Sequence, residues 1–311
     1  MDEQSHMYEL EFPGPSVSDT DGNGPVLVHA LDGYADAGHA LRLLRQHLKD
    51  NLTTELVASF DVDELIDYRS RRPSMTFEDG FTGVDEPELN LYAVRDSAGK
   101  PFLLLAGAEP DLRWNGFVSA VAGLAERFGV RSVVGLHAIP MAVPHTRPVP
   151  VTAHGNNPDL RSELRSWDGG TMRLPGSAAG LLELRMADKG YDTLGLSVHV
   201  PHYLAQNDYP EAVLGMLGAL RTSVGLQLPD GDLAVEAAEL REQIDAQVSS
   251  SSEISSVVET LEQQYDEAAQ QPRELLIADG EAIPTGDDLA SEFEAFLAEQ
   301  AGDEGENGSG A

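Results

Sequence analysis

The chain has 311 residues, with 20 Lys and Arg against 53 Asp and Glu (a formal net charge of −33) and no cysteine. That balance repels phosphate backbones and anionic headgroups, which excludes nucleic acid and membrane surfaces as partners; the missing thiols exclude disulfides, thiolate metal sites and cysteine nucleophiles. No apolar run approaches the roughly 20 residues that cross a bilayer, and no basic-then-apolar segment opens the chain, so the expected location is cytoplasmic.

Residues 1–24 read as a loose leader in which Tyr8–Phe12 forms an edge strand. Pro25–Leu31 (PVLVHAL) is a short apolar run bounded by turn residues, as a buried strand requires. It stops at Asp32-Gly33, and Asp36 stands at an N-cap before Ala37, Leu41, Leu44 and Leu48 at helical spacing. Thr54–Phe60 is the next strand, Asp61–Asp67 a short acidic helix, and the Arg-, Ser- and Gly-rich stretch to Pro87 a loop. Leu89–Val94 and Pro101–Leu105 flank Asp96–Lys100 as a β-hairpin, with Glu109 just past the second strand. Asn115 then caps a helix whose Phe117, Val121, Leu124 and Phe128 share a face, and Gly129 takes the left-handed position at its end.

The stretch Val133–Asn156 is the one around which the chain is organised. A strand (Val133–Leu136) ends in His137, and prolines at 140, 144, 148 and 150 bar a helix after it. The loop carries His145 and Arg147 and leads to a second short strand and to His154 and Asn156. The two strands are expected to lie close together. Asp159–Trp167 makes one or two helical turns. Ser177 caps a helix through Leu181, Leu184 and Met186 that Gly190 ends; Thr193–Val200 is a strand; Pro210 opens a helix that Gly225 closes.

Beyond Pro229 the composition changes. From Asp230 to the end there are 22 Asp and Glu against two arginines, a net of −20. Leu233–Val248 and Ile254–Ala268 carry apolar stripes, joined at Ser249–Ser252 as an αα-hairpin. Glu274–Ala278 reads as a small strand or turn, Asp288 leads a last amphipathic helix, and the Gly-, Ser- and acid-rich end is disordered. This gives an α/β core over 1–229, an acidic helical extension over 230–300 and a tail over 301–311. Strands alternating with amphipathic helices mean an α/β layered domain, and the hairpin makes its sheet mixed.

Polar groups recur just past strand ends, where open α/β sheets place their sites. Asp32, Asp36, Glu109, Arg113, His137, His145, Arg147, His154 and Asn156 are the candidate pocket residues, with His199 and His202 behind them. An arginine would grip an anion and a histidine move protons; alternatively these are solvated loop residues and caps. No metal is expected, since His199 and His202 lie on a strand end facing opposite ways and no HExxH is present. No cofactor is expected either. Walker A is missing, Gly33–Gly38 lacks the dinucleotide spacing, and the three lysines (Lys49, Lys100 and Lys189) sit away from any phosphate cradle. No GxSxG elbow occurs.

PVLVHALDGYADAGHA, FLLLAGAEPDLRW, GLHAIPMAVPHTRP and VTAHGN together resemble the PAC2 family, named for proteasome assembly chaperones, and in particular its actinobacterial branch. The likeness covers roughly residues 7 to 228. It implies a three-layer α/β/α fold of the nucleoside-phosphorylase/peptidyl-hydrolase type, and assembly into trimers or other homo-oligomers. It also implies proteasome subunits, or another protein, as partner. The hydrophobic–tyrosine–any-residue ending of some relatives is replaced here by Glu306–Ala311. Two functions follow as expectations: a non-catalytic oligomeric chaperone or adaptor, or a small-molecule binder or enzyme with its pocket at the strand ends.

Overall fold

The alternation of Val26, Val28 and Ala30 with Leu27, His29 and Leu31 forces a strand with two buried faces, and helices cover both. The computed structural model describes residues 7–17, 24–166 and 170–270. Its strands are β1 (Tyr8–Leu10), β2 (Val26–Asp32), β3 (Thr53–Phe60), β4 (Met75–Phe77), β5 (Phe81–Val84), β6 (Leu89–Arg95), β7 (Pro101–Ala108), β8 (Ser132–Met141), β9 (Val151–Gly155), β10 (Arg165–Ser166) and β11 (Asp192–Pro201). Its α-helices are α1 (Ala40–Asn51), α2 (Val62–Leu65), α3 (Trp114–Arg127), α4 (Ala178–Asp188), α5 (Pro210–Val224), α6 (Leu233–Ser250) and α7 (Ser252–Gln270). The expected strand at Glu274–Ala278, the helix from Asp288 and the tail lie outside the described residues.

Nine strands form one mixed sheet in the order β1-β3-β6-β7-β2-β8-β11-β9-β10. Its centre is parallel: β7, β2, β8 and β11 run the same way, as crossovers through helices require. β6 pairs antiparallel with β7, and β9 antiparallel with β11. On one face Leu41, Leu44 and Leu48 of α1 pack with α5 and with Leu233 and Ile244 of α6. On the other, Phe117, Val121 and Leu124 of α3 and Leu182 and Met186 of α4 close the second core. Each such leucine contributes about 1.5–3 kcal/mol by leaving water. The fold is thus a three-layer α/β/α sandwich with C-terminal helices, α6 being seated on the core.

Several local expectations are displaced. The strand at 132–141 does not stop at His137 but runs on through Pro140. Amides alternate sides along a strand, so Pro140 shares the side of Ala138, whose N–H bonds Ala35. β2 pairs β8 only as far as Gly135, so the missing amide of Pro140 faces no strand there. β8 and β9 are not neighbours, because β11 lies between them. The helix expected to start at Asn115 begins at Trp114, after Arg113 in a left-handed conformation with φ 55°. Leu184 faces outward at 55% exposure, and Glu183 takes the buried position instead. Residues 75–84, expected to be loop, form the two-stranded β4–β5 arm.

The αα-hairpin of α6 and α7 is clamped over the proline-rich loop. His145 Nε2 lies 3.0 Å from Asp245 of α6, and its Nδ1 meets the Tyr203 hydroxyl at 2.7 Å. Arg147 donates from Nε and Nη2 to the two carboxylate oxygens of Asp266 at 2.8 and 2.7 Å, with Glu262 3.1 Å away. Thr146 donates to Glu262, and the Tyr265 hydroxyl donates to the Pro148 carbonyl at 2.9 Å. A bidentate guanidinium fixes orientation as well as proximity. Arg147→Ala is therefore expected to speed hydrogen exchange several-fold in α7 while leaving α1 and α3 unchanged; exchange in α7 identical to the wild type contradicts the clamp.

Candidate functional site

The sheet register generates an arrangement that no single segment announces. His29 of β2 pairs with Gly135 of β8, Gly135 with Gly195 of β11, and Gly195 with His154 of β9. One row across the sheet therefore reads His–Gly–Gly–His, a trench two glycines wide. His137 lies two residues beyond Gly135 on β8, so the same face carries it.

Glu183 reaches into this trench from α4. Its Oε1 accepts from His137 Nε2 at 2.6 Å and its Oε2 from His154 Nε2 at 2.8 Å. His29 Nε2 is 3.7 Å from Oε1. The glycines make the room. A Cβ on Gly135 would stand 2.0 Å from Glu183 Oε1 and 2.6 Å from His29 Nε2; one on Gly195 would stand 2.1 Å from the His154 ring. The His137 and His154 rings stack with centroids 6.0 Å apart. Burial alone would push the Glu183 carboxyl up, but His137, His154 and His29 together hold it well below the usual carboxylate range. Burial lowers His29 to about 4, so it is neutral, whereas the hydrogen bond to Glu183 raises His154. Among the described residues neither nitrogen of His29 has a hydrogen-bond partner.

A second group gathers at the C-terminal rim of the parallel strands. Asp32 Oδ2 accepts from Arg45 at 2.6 Å, while its buried Oδ1 has no hydrogen-bond partner among the described residues. Arg71 bridges the rim, donating to the Asp32 and Glu109 carbonyls and pairing with Asp111 at 2.8 Å. The Glu109 carboxylate takes the N–H of Tyr34 at 3.3 Å and that of Ala179, at the start of α4, at 3.2 Å. Asp36 accepts the Leu41 N–H at 2.6 Å, tying down the start of α1. Burial pushes Asp36 up to about 7 against that hydrogen bond, with the Asp32 charge adding to the rise. Burial raises Asp32 as well, opposed by Arg45.

The nine candidate residues thus divide by their partners. Asp32, Asp36 and Glu109 share the rim. His137 and His154 share Glu183. His145 and Arg147 are held by the helical hairpin. Arg113 pairs with Glu64 of α2. Asn156 bonds the Tyr191 carbonyl and the Thr193 N–H, at the opposite end of β11 from the rim. His199 hydrogen-bonds Thr152 at 3.1 Å inside the sheet. Reading along the chain missed His29 and Glu183. Each did leave a signal: an imidazole inside the apolar run VLVHAL, and an acid on the stripe that buries Ala179, Leu182 and Met186.

Comparison with known proteins places this geometry. The chain matches the PAC2 family over residues 30–248. A crystal structure of a Mycobacterium tuberculosis protein of unknown function is 55% identical, with a TM-score of 0.82, over 86% of this chain and 97% of that one. A Corynebacterium glutamicum protein of unknown function is 48% identical, with a TM-score of 0.81, over 86% and 100%. A Mycobacterium tuberculosis proteasome-assembly chaperone homologue shares the fold at 24% identity, with a TM-score of 0.68, over 75% and 99%. No curated protein matches. The match over most of the chain, and the high identity to a solved actinobacterial structure, lead to one conclusion: the chain belongs to the PAC2 family.

Proposed function

We propose that this chain works as a non-catalytic, self-associating interaction protein of the PAC2 type, a chaperone or adaptor with proteasome subunits as the first partner to test. The observation that carries this reading is the β4–β5 arm. Met75 pairs with Val84 and Phe77 with Phe81, and all four side chains stand in solvent, Phe77 and Phe81 at 64% and 72% exposure. An isolated two-stranded ribbon is marginal in water, and contiguous exposed apolar groups mark contact surfaces. The pairing of Arg147 and His145 within the chain supports the same reading, because it leaves that loop without a free cation for an anionic substrate.

A second copy of the chain is the occupant we assign to the arm. Sedimentation velocity is expected to show an oligomer for the wild type and a shift to monomer for the Phe77→Asp/Phe81→Asp variant. A monomeric wild type, or an unshifted variant, contradicts self-association through the arm. Purified proteasome α subunits are expected to bind the wild type; no binding removes the proteasome link.

The rim favours a second reading, a small-molecule site at the strand ends, because Asp36 is poised near neutrality beside Asp32. The proton has a measurable consequence. The folded-state pKa of about 7 lies above the unfolded value of ~3.9. The associated stability is then complete below about pH 4 and lost as pH rises through 7. Relative to the wild type, Asp36→Asn is expected to gain stability steadily from pH 4 to 7 and then level off, read by urea unfolding. A difference independent of pH contradicts the buried, protonated carboxyl.

A further inference from the structure

We propose that the glycine trench is a binding site for one divalent transition-metal ion of the zinc class, ligated by His137, His154 and Glu183, with His29 as the fourth donor beside them. The geometry comes first. One ligand atom from each of His137, His154 and Glu183 lies within 4.8 Å of the other two. These donors come from β8, β9 and α4, so the fold and not local spacing brings them together. Two imidazole nitrogens and a carboxylate oxygen are the donors of zinc-type sites, whereas magnesium and calcium take oxygen cages.

His29 supplies an independent observation. It is fully buried, and both its ring nitrogens lack a hydrogen-bond partner among the described residues. Such an orphaned polar group normally costs free energy that a fold avoids. Its Nε2 points to the space above Gly135 that Glu183 Oε1 also occupies, as the 2.6 and 2.0 Å approaches to a Cβ there show. A cation in that space would give the imidazole a partner. Entry from solvent is open on one side: the His154 side chain is 47% exposed, whereas those of His137 and Glu183 are nearly enclosed. The two hydrogen bonds to Glu183 hold the ligand groups in place; in the metal-bound form each imidazole carries its ring proton on Nδ1 and turns the Nε2 lone pair to the ion.

No feature of the trench resembles a solvated acidic patch. Among the described residues it contains one carboxylate, faced by the imidazoles of His137, His154 and His29. Two backbones without side chains clear the floor, and a helix lowers the acid onto it. An ion bound there would tie β2, β8, β9 and α4 into one unit, which is a structural or regulatory role and does not require an open substrate cleft.

The test uses the full-length protein stripped with chelator and then titrated with Zn²⁺ or Co²⁺ alone. Calorimetry is expected to give one tight site per chain that Mg²⁺ does not compete for. His154→Ala and Glu183→Gln are each expected to weaken it by at least about tenfold, the low end of what losing a group merely hydrogen-bonded to a ligand costs. Circular dichroism verifies that both variants fold. Zinc X-ray absorption on the loaded wild type needs no variant and is expected to show imidazole scattering from at least two histidines. Equal uptake by the wild type and a folded His137→Ala/His154→Ala variant overturns the proposal. So does an all-oxygen coordination sphere, the signature of surface carboxylates.

Discussion

One buried carboxylate organises the centre of this protein. Removing a charge from water costs several kcal/mol, and that cost is offset only where partners of the right geometry surround it. Glu183 meets the condition with two hydrogen bonds, and a third imidazole stands close by. The condition reaches further than the side chains, because the carboxylate has no room unless Gly135 is bare, and the His154 ring that bonds it has none unless Gly195, paired with Gly135 in the neighbouring strand, is bare too. A one-residue slip of β8 would turn Gly135 away and place a side chain in the trench. Sheet register, helix position and the charge at the centre are therefore one constraint.

Much of the fold was legible along the chain because its signals are local. The apolar run of β2, the Ser177 hydroxyl accepting the Gly180 N–H, Pro210 opening α5 and Gly225 at φ 72° closing it are all read from a few neighbouring residues. Arg113 is an example of what local chemistry misjudges. An asparagine beside a tryptophan looks like a cap, yet the chain enters α3 through a left-handed arginine paired with Glu64. The central cluster was less legible still. His137 and His154 stood out as strand-end imidazoles on strands expected to lie close together, and the structure sets those strands one apart, with β11 between them. They meet across β11 only because Gly195 is bare. His29 and Glu183 were hidden inside an apolar strand and an amphipathic helix, and what joins them to the others is strand order, which no short window contains.

The negative charge of the C-terminal region also looks different in three dimensions. Asp245, Glu262 and Asp266 face His145 and Arg147 of the same chain, so part of the acidity holds the hairpin down. These contacts are partly exposed, and salt weakens them. Among the described residues the apolar arm at β4–β5 has no aromatic partner beyond itself, its two rings meeting each other at 5.2 Å. An acidic hairpin closed over the core and an exposed apolar arm fit the proposed assembling role, and neither depends on the trench beneath α4.

The dependence of the centre on bare backbone is tested most directly by a double-mutant cycle on Gly195 and His154, using urea unfolding at neutral pH. The side chain that Gly195→Ala would strike is the His154 ring, 2.1 Å from the added carbon. The alanine should therefore cost markedly less once His154 is also alanine, with a coupling above ~0.5 kcal/mol. Costs that simply add, within about 0.3–0.5 kcal/mol, would mean that the glycine is not there to make room for the imidazole.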